Sequence, residues 1–340
     1  MTRTLVIGDL HFDNKPYGLL NSQKGTTIDI YNDALKSGPI DDVIFLGDLM
    51  MHRKPYPRVL LALKEVVDYI SEKSNVFILR GNHDSETKAD DGVTALSLFE
   101  SKNVTIITHI LVDDASRRVY IPHYEDETRI KEALAAVPKG YTVFGHFGYY
   151  GSLNSAGDND FFLTPADFSN FTILGHIHQY SRRENIALLG TPYTTNFAEY
   201  KKESFYGIIE DDRLETFPIE FGPRHLVVDY DSVEENLDWI NDGRYFTLLR
   251  INIDTVNEDQ NNITELINKL SAGYVEIKYK PLVDTSDELV LDSINTPSYP
   301  VTDVTNSLIE EYINSSTTTI GKDSLLSGLK LIHENQQDRN

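Results

Sequence analysis

Short apolar runs rich in β-branched and aromatic residues recur along the chain, and five of them end in glycine followed by a polar, chemistry-bearing residue. TLVIGDLH closes on Gly8, Asp9 and His11, and DVIFLGD on Gly47 and Asp48. NVFILRGNHD closes on Gly81, Asn82, His83 and Asp84, YTVFGH on Gly145 and His146, and FTILGHIH on Gly175, His176 and His178. Runs of this length bounded by glycine read as buried strands. Between them lie helical patterns: about Thr27 to Lys36, stopped by Gly38-Pro39; an amphipathic stretch from about Arg58 to Glu72; one opened by Asp90-Asp91-Gly92 and ending near Ser101; and one near Glu127–Ala136. Strands alternating with helices predict a sheet whose strands are largely parallel. Ligands bind such sheets at the carboxyl ends of the strands, where the five runs would deliver their polar residues.

The connecting segments are polar. Lys15 to Gly25 predicts a loop over the site, Met50 to Pro57 a loop carrying His52, Arg53 and Lys54, and Tyr149 to Asn159 another. Short strands are predicted around Val104–Thr108, Ile110–Val112 and Val119–Ile121. The segments IALLGTPYTTNF, SFYGIIEDD and RLETFPIEF predict strands finishing the sheet. Around Gly222-Pro223 the pattern changes to a small β-α-β-α-β unit: strands His225–Tyr230, Phe246–Ile253 and Tyr274–Lys280, with helices Val233–Asn241 and Asp259–Leu270. The proline-bearing stretch 282–302 reads as a linker. Two amphipathic helices then follow, about Asp303–Ile313 and Asp323–His333, fitted either to packing on the parent domain or to docking on another protein. The expected division is 1–222, 223–281, 282–302 and 303–340.

Composition narrows the chemistry. The 340 residues carry no cysteine, which removes disulfides and thiolate sites. The chain opens directly into a strand and has no apolar run of membrane-spanning length, so a cytoplasmic protein without a membrane is expected. A net charge of −22 makes the chain a poor unaided binder of polyanions; a nucleic-acid substrate would need metals, a local basic patch or a basic partner.

Asp, Asn and His without Cys form a hard-to-intermediate ligand set suited to manganese, magnesium, iron or zinc. Asp9, His11, Asp48, Asn82, His146, His176 and His178 are too many for one ion and suit two that share a carboxylate. Two metals about 3.5–4 Å apart can clamp the attacking and leaving oxygens of a phosphoryl displacement. His83 fits a donor to the phosphate or leaving oxygen, with Asp84 setting its tautomer; an eighth ligand or a structural contact is the other reading. His52 either faces the phosphate or is a loop residue. His123 either lines the site or is structural. Arg53, Lys54 and Arg58 either touch phosphates or are solvated. His109, His225 and His333 have no motif around them.

D-x-H, G-D, G-N-H-D, G-H and G-H-x-H in this order resemble the calcineurin-like metallophosphoesterase superfamily over roughly residues 1–220. The resemblance implies a four-layer α/β sandwich with a dimetal site at its sheet edge. By motif it places Asp9, His11, Asp48 and His178 on one metal, and Asp48, Asn82, His146 and His176 on the other. The G-D-x-x-D-R-G and G-N-H-E forms typical of protein phosphatases are missing. LLGTPYTTNFAEY is similar to the strand and turn after G-H-x-H in SbcD-type nucleases, the catalytic subunits of SbcC–SbcD double-strand-break-repair complexes; the small cap, linker and terminal helices also resemble that family, and the compact length its phage versions. This implies a manganese-dependent (or magnesium-dependent) 3′–5′ exonuclease and single-strand endonuclease on DNA. It further implies a homodimer within a heterotetramer, whose C-terminal helices bind the coiled-coil base of an SbcC-type ATPase, in the bacterial host cytoplasm if phage-encoded. A small-molecule or cyclic-nucleotide phosphodiesterase of the same superfamily is the alternative, and it gives the terminal helices no task.

Overall fold

The first apolar run forms β1 (Thr4–Ile7), and its alternation sets two faces: Leu5 and Ile7 point one way, Val6 the other. A computed structural model describes residues 2–152, 162–253 and 260–279, of which 260 and 261 as backbone only. After β1 come α1 (Leu19–Lys36), β2 (Asp42–Phe45), α2 (Pro57–Ser71), β3 (Asn75–Leu79) and β4 (Val104–Ile107). They are followed by β5 (Leu111–Asp113), β6 (Arg118–Ile121), α3 (Glu127–Ala136), β7 (Thr142–His146), β8 (Thr172–Gly175), β9 (Ser181–Arg183) and β10 (Ile186–Leu188). The series closes with β11 (Phe205–Glu210), β12 (Arg213–Pro218), β13 (Gly222–Asp229), α4 (Leu237–Ile240), β14 (Tyr245–Ile253), α5 (Gln260–Asn268) and β15 (Tyr274–Tyr279).

One parallel sheet was expected from the glycine-ended runs; the strands divide between two. The first has the order β12-β11-β1-β2-β3-β4 and the second β5-β6-β7-β8-β10-β9. The sheets face each other across an apolar layer in which Val6, Ile44, Leu46 and Leu79 meet Tyr120, Phe144, Ile173 and Leu189. The outer face of the first sheet packs on α1 and α2, that of the second on α3. The result is helix, sheet, sheet, helix: the four-layer α/β sandwich. The strands after the central one do not finish a single sheet either. β10 joins the second, while β11 and β12 cross back and pair antiparallel beside β1.

Helix α2 buries Val59, Leu63, Val66, Val67 and Ile70 on one stripe. Each such side chain contributes roughly 1.5–3 kcal/mol by leaving water. Helix α1 begins at Leu19, well before the expected Thr27, and takes up most of the presumed loop. Its early turns hold because Gln23 is buried and its amide bridges the turn after β1: it donates to the His11 carbonyl (3.0 Å) and accepts from the Asp13 amide (2.9 Å). The helix expected after Asp90-Asp91-Gly92 is only a short 3₁₀ stretch, Ala95–Phe99. The two aspartates serve loops instead, Asp91 accepting from Val93 N and Asp90 from Glu125 N and Asp126 N.

Within 222–253 and 260–279, β13, β14 and β15 form a parallel sheet with its own core around Leu226, Val228, Leu249, Ile251 and Ile263. Between β13 and β14, 3₁₀ turns and the short α4 stand where one longer helix was expected. The described residues belong to one compact unit. Gly222, at φ +93°, lies so close to α1 that a Cβ there would sit 2.2 Å from Thr26 Oγ1, so this junction admits only glycine without displacement. No helix among the described residues is long and apolar enough to cross a membrane. The expected linker and both terminal helices lie outside the described residues, as does most of the 149–159 loop.

Candidate metal centre

Each sheet sends its strand ends to one place. Sheet one contributes Asp9 and His11 after β1, Asp48 after β2, and Asn82, His83 and Asp84 after β3; sheet two contributes His146 from β7, and His176 and His178 after β8. The turns are tight: His11 (φ +44°), Asp48 (+48°) and His176 (+80°) all occupy the left-handed region without being glycine. Such residues cost of order 1–3 kcal/mol each and persist where surrounding contacts demand them, commonly at functional sites. Gly81 makes one of those contacts possible, since a Cβ there would lie 2.1 Å from Asp48 Oδ1.

The side chains fall into two groups that meet at Asp48. On one side His11 Nε2 lies 3.0 Å from His178 Nε2 and 3.7 Å from Asp48 Oδ2. On the other, Asn82 Oδ1 lies 3.1 Å from His146 Nε2 and 2.9 Å from His176 Nδ1, and His146 Nε2 is 3.4 Å from Asp48 Oδ1. Asp9 Oδ1 accepts from the His176 amide (2.9 Å) and faces His146 Nδ1 at 3.3 Å, whereas its Oδ2 is buried without a hydrogen-bond partner. The seven side chains expected as ligands thus stand together.

Their lone pairs fit divalent cations. His146 Nδ1 is 2.8 Å from the Leu46 carbonyl, which can only accept, so the ring proton sits on Nδ1. Its Nε2 then turns a lone pair toward the oxygens of Asn82 and Asp48, an arrangement that needs positive charge between them. Without metal, a second proton supplies it: although burial opposes charge, Asp48 and then Asp9 raise the His146 pKa to about 9. Burial alone would raise Asp48; the neighbouring histidines, His146 first and then His11 and His83, together outweigh it and hold the carboxyl below its ordinary range. Asp9 is raised, first by burial. Burial lowers His11 and His176 to about 3 each, leaving them neutral and ready to coordinate. A buried to half-buried set of two carboxylates, an amide oxygen and four imidazoles suits two hard-to-intermediate ions.

His83 approaches the same centre, its ring centroid 5.0 Å from that of His11 and its amide donating to Asp48 Oδ1 (2.8 Å). It also stands in ligand range of His11 and Asp48. Its Nδ1 is 2.6 Å from the Met51 carbonyl, which leaves Nε2 as the working nitrogen. The expectation that Asp84 sets the His83 tautomer is corrected here. The Asp84 carboxylate is fully buried and accepts instead from the amides of Leu49, Met50 and Gly81, pinning the loop that carries Asp48. Burial, then the charge of Asp48, raise Asp84 to about 7.

His52 stands apart, 59% exposed at the side chain, its Nε2 3.9 Å from Asp13 Oδ2. His123 is close: its ring stacks at 5.8 Å on His176, and neither ring nitrogen has a hydrogen-bond partner. Arg53 is occupied by the Ser85 and Thr87 carbonyls and by Glu125. His225 is buried against Thr194, and His333 lies outside the described residues. Sequence reasoning missed Gln23 and also Glu199, whose Oε1 is 2.7 Å from His178 Nδ1. The GTPYTTNFAEY segment contains Glu199, but nothing local marks which way its carboxylate turns.

A family model described as calcineurin-like phosphoesterase matches residues 2–228. Among solved structures, an archaeal phosphodiesterase is similar at 12% identity over 64% of this chain and 99% of its own, with a TM-score of 0.33. A nuclease MPE from Pseudomonas putida is similar at 15% identity over 64% of this chain and 74% of its own, with a TM-score of 0.31. No curated protein matches the chain.

Proposed function

The chain belongs to the calcineurin-like phosphoesterase family, and from that premise we propose that it is a two-metal phosphodiesterase acting on DNA, an SbcD-type nuclease that works with a coiled-coil ATPase. The observation that carries the metal reading is the pair of donor groups sharing Asp48, in which ligand atoms of His146, Asn82 and Asp48 on one side and of His11 and His178 on the other face one another. When bound there, manganese or magnesium supplies Lewis acidity and a hydroxide at neutral pH. Asp48 joins both groups, Asp9 adds an unpaired buried oxygen, and Asp84 keeps the Asp48 loop in place. His83, tied through Nδ1 to Met51, presents Nε2; as imidazolium it donates to the phosphate and hands its proton to the leaving oxygen. Water adds to phosphorus and gives up one proton to solvent, the P–O bond to the leaving group breaks, and the departing alcohol takes the His83 proton, which solvent restores, so a diester becomes a monoester and an alcohol.

Support for DNA as substrate is the G-T-P turn sequence after G-H-x-H and the chain layout beyond residue 222, in which the terminal stretch is assigned to the ATPase partner. The test is manganese-dependent cleavage of end-labelled linear duplex, with bis-p-nitrophenyl phosphate and a cyclic nucleotide alongside. Stepwise shortening that Asp48→Asn abolishes supports the nuclease. Cleavage of the small esters with DNA untouched transfers the site to a small-molecule phosphodiesterase, the reading that the charge of −22 favours.

A further inference from the structure

Outside the donor groups, a largely buried ion pair stands directly behind His178. Glu199 is 15% exposed at the side chain and Lys202 5%. We propose that these two are positioning residues: Lys202 anchors the Glu199 carboxylate, and Glu199 holds His178 in the tautomer and rotation that turn Nε2 toward His11. The proposal rests on the reading of His178 as a metal ligand.

The hydrogen bonds leave Glu199 little freedom. Its Oε2 accepts from Thr195 N (2.8 Å) and faces Lys202 Nζ at 3.4 Å. Its Oε1 accepts from Thr195 Oγ1 (2.9 Å), Asn196 Nδ2 (2.9 Å) and His178 Nδ1 (2.7 Å). A carboxylate so surrounded has no proton to give, so the proton in the last contact belongs to Nδ1. A neutral His178 therefore carries its lone pair on Nε2, the nitrogen 3.0 Å from His11 Nε2. Lys202 is held in turn by the Tyr193 carbonyl (2.8 Å), by Thr191 Oγ1 and by Glu199, so its ammonium cannot swing away without losing three partners. His11 shows the contrast, because its Nδ1 is buried without a hydrogen-bond partner. In this pair of imidazoles only His178 has its tautomer set by a side-chain partner. A carboxylate behind a ligating imidazole fixes its orientation and raises its basicity, and removal commonly weakens metal binding by about 10–100-fold.

Glu199 also ends a 3₁₀ turn, Phe197–Glu199, so a purely structural role must be separated from the positioning one. The full chain, stripped of metal, is titrated with manganese by calorimetry for the wild type, Glu199→Ala, Glu199→Gln and Lys202→Met. Imidazole ¹⁵N spectra are recorded on the metal-free proteins. The wild type is expected to bind two ions and to show the Nδ1–H form of His178. Glu199→Ala keeps one ion at wild-type affinity, binds the other about 10–100-fold more weakly, and shows a mixed tautomer. Glu199→Gln, whose amide oxygen still accepts from Nδ1, loses less, and Lys202→Met weakens the same ion. If Glu199→Ala does not fold, the Gln and Met variants carry the comparison. Two ions at unchanged affinity together with an unchanged ring spectrum in every folded variant would overturn the proposal and leave the metal reading intact. A wild type that binds no manganese would remove the metal reading, and the proposal with it.

Discussion

The Nε2 atoms of His11 and His178 lie 3.0 Å apart although 167 positions separate them in the chain. One follows β1 of the first sheet and the other β8 of the second, so the contact ties the two layers at their carboxyl ends. Because Glu199 occupies Nδ1 of His178, its Nε2 presents a lone pair to His11 Nε2, which either donates a proton to it or shares a divalent ion with it.

Metal should therefore stabilise the fold. At free manganese about a hundredfold above Kd, one site adds about 2.7 kcal/mol, or a Tm rise of roughly 4 °C for a protein of this size. A thermal scan with and without chelator checks this, and coincident curves would count against both donor groups.

Asp48→Asn and His83→Gln should separate two roles. The first removes the carboxylate that both groups share, so manganese stoichiometry and turnover both fall. The second keeps the ligands, so two ions still bind while kcat drops by about 10²–10⁴. Circular dichroism should show both variants folded. A His83→Gln protein with wild-type kcat would take His83 out of the chemistry.

His225 should produce an acid-side loss of stability. Burial lowers its pKa to about 4, well under the ordinary histidine value. Between pH 4 and 6.5 the unfolded chain binds a proton that the folded one refuses, so stability falls as pH drops through that window and is fully present above it. The contribution is of order 3 kcal/mol at most. Urea midpoints of chelated wild type and His225→Gln from pH 4 to 7 should show a shallower decline in the variant, and parallel curves would refute the assignment.

Tyr193→Phe should act through a backbone group. The buried Tyr193 hydroxyl donates to the carbonyl of Leu10, the residue between Asp9 and His11. Its removal strands that carbonyl and should cost about 1–3 kcal/mol in urea unfolding. The ring fills the same space, so no cavity forms. A loss under 0.5 kcal/mol would mean that water takes its place.

The clustering of the candidate ligand residues was legible in the sequence because their signals are local. A β-branched run, a glycine and a polar residue lie within eight positions, and FTILGHIH or NVFILRGNHD carries its strand, turn and donor together. The amphipathic stripe of α2 and the β-α-β-α-β order beyond Gly222 are periodicities of the same local kind. From these alone follow the alternating α/β character, the ligand types and their suitability for two ions.

What the tertiary structure decided is pairing across distance. It split the strands into two facing sheets, because Val6 and Ile44 find Phe144 and Ile173, an association that no window of sequence contains. It drew α1 back to Leu19 by giving Gln23 an amide and a carbonyl to bridge. It took Asp84 away from His83 and spent it on three backbone amides, and it set Glu199 behind His178. A hydrogen bond depends on the position and direction of both partners. Sequence supplies the donors and acceptors, but only the folded chain settles which of them meet.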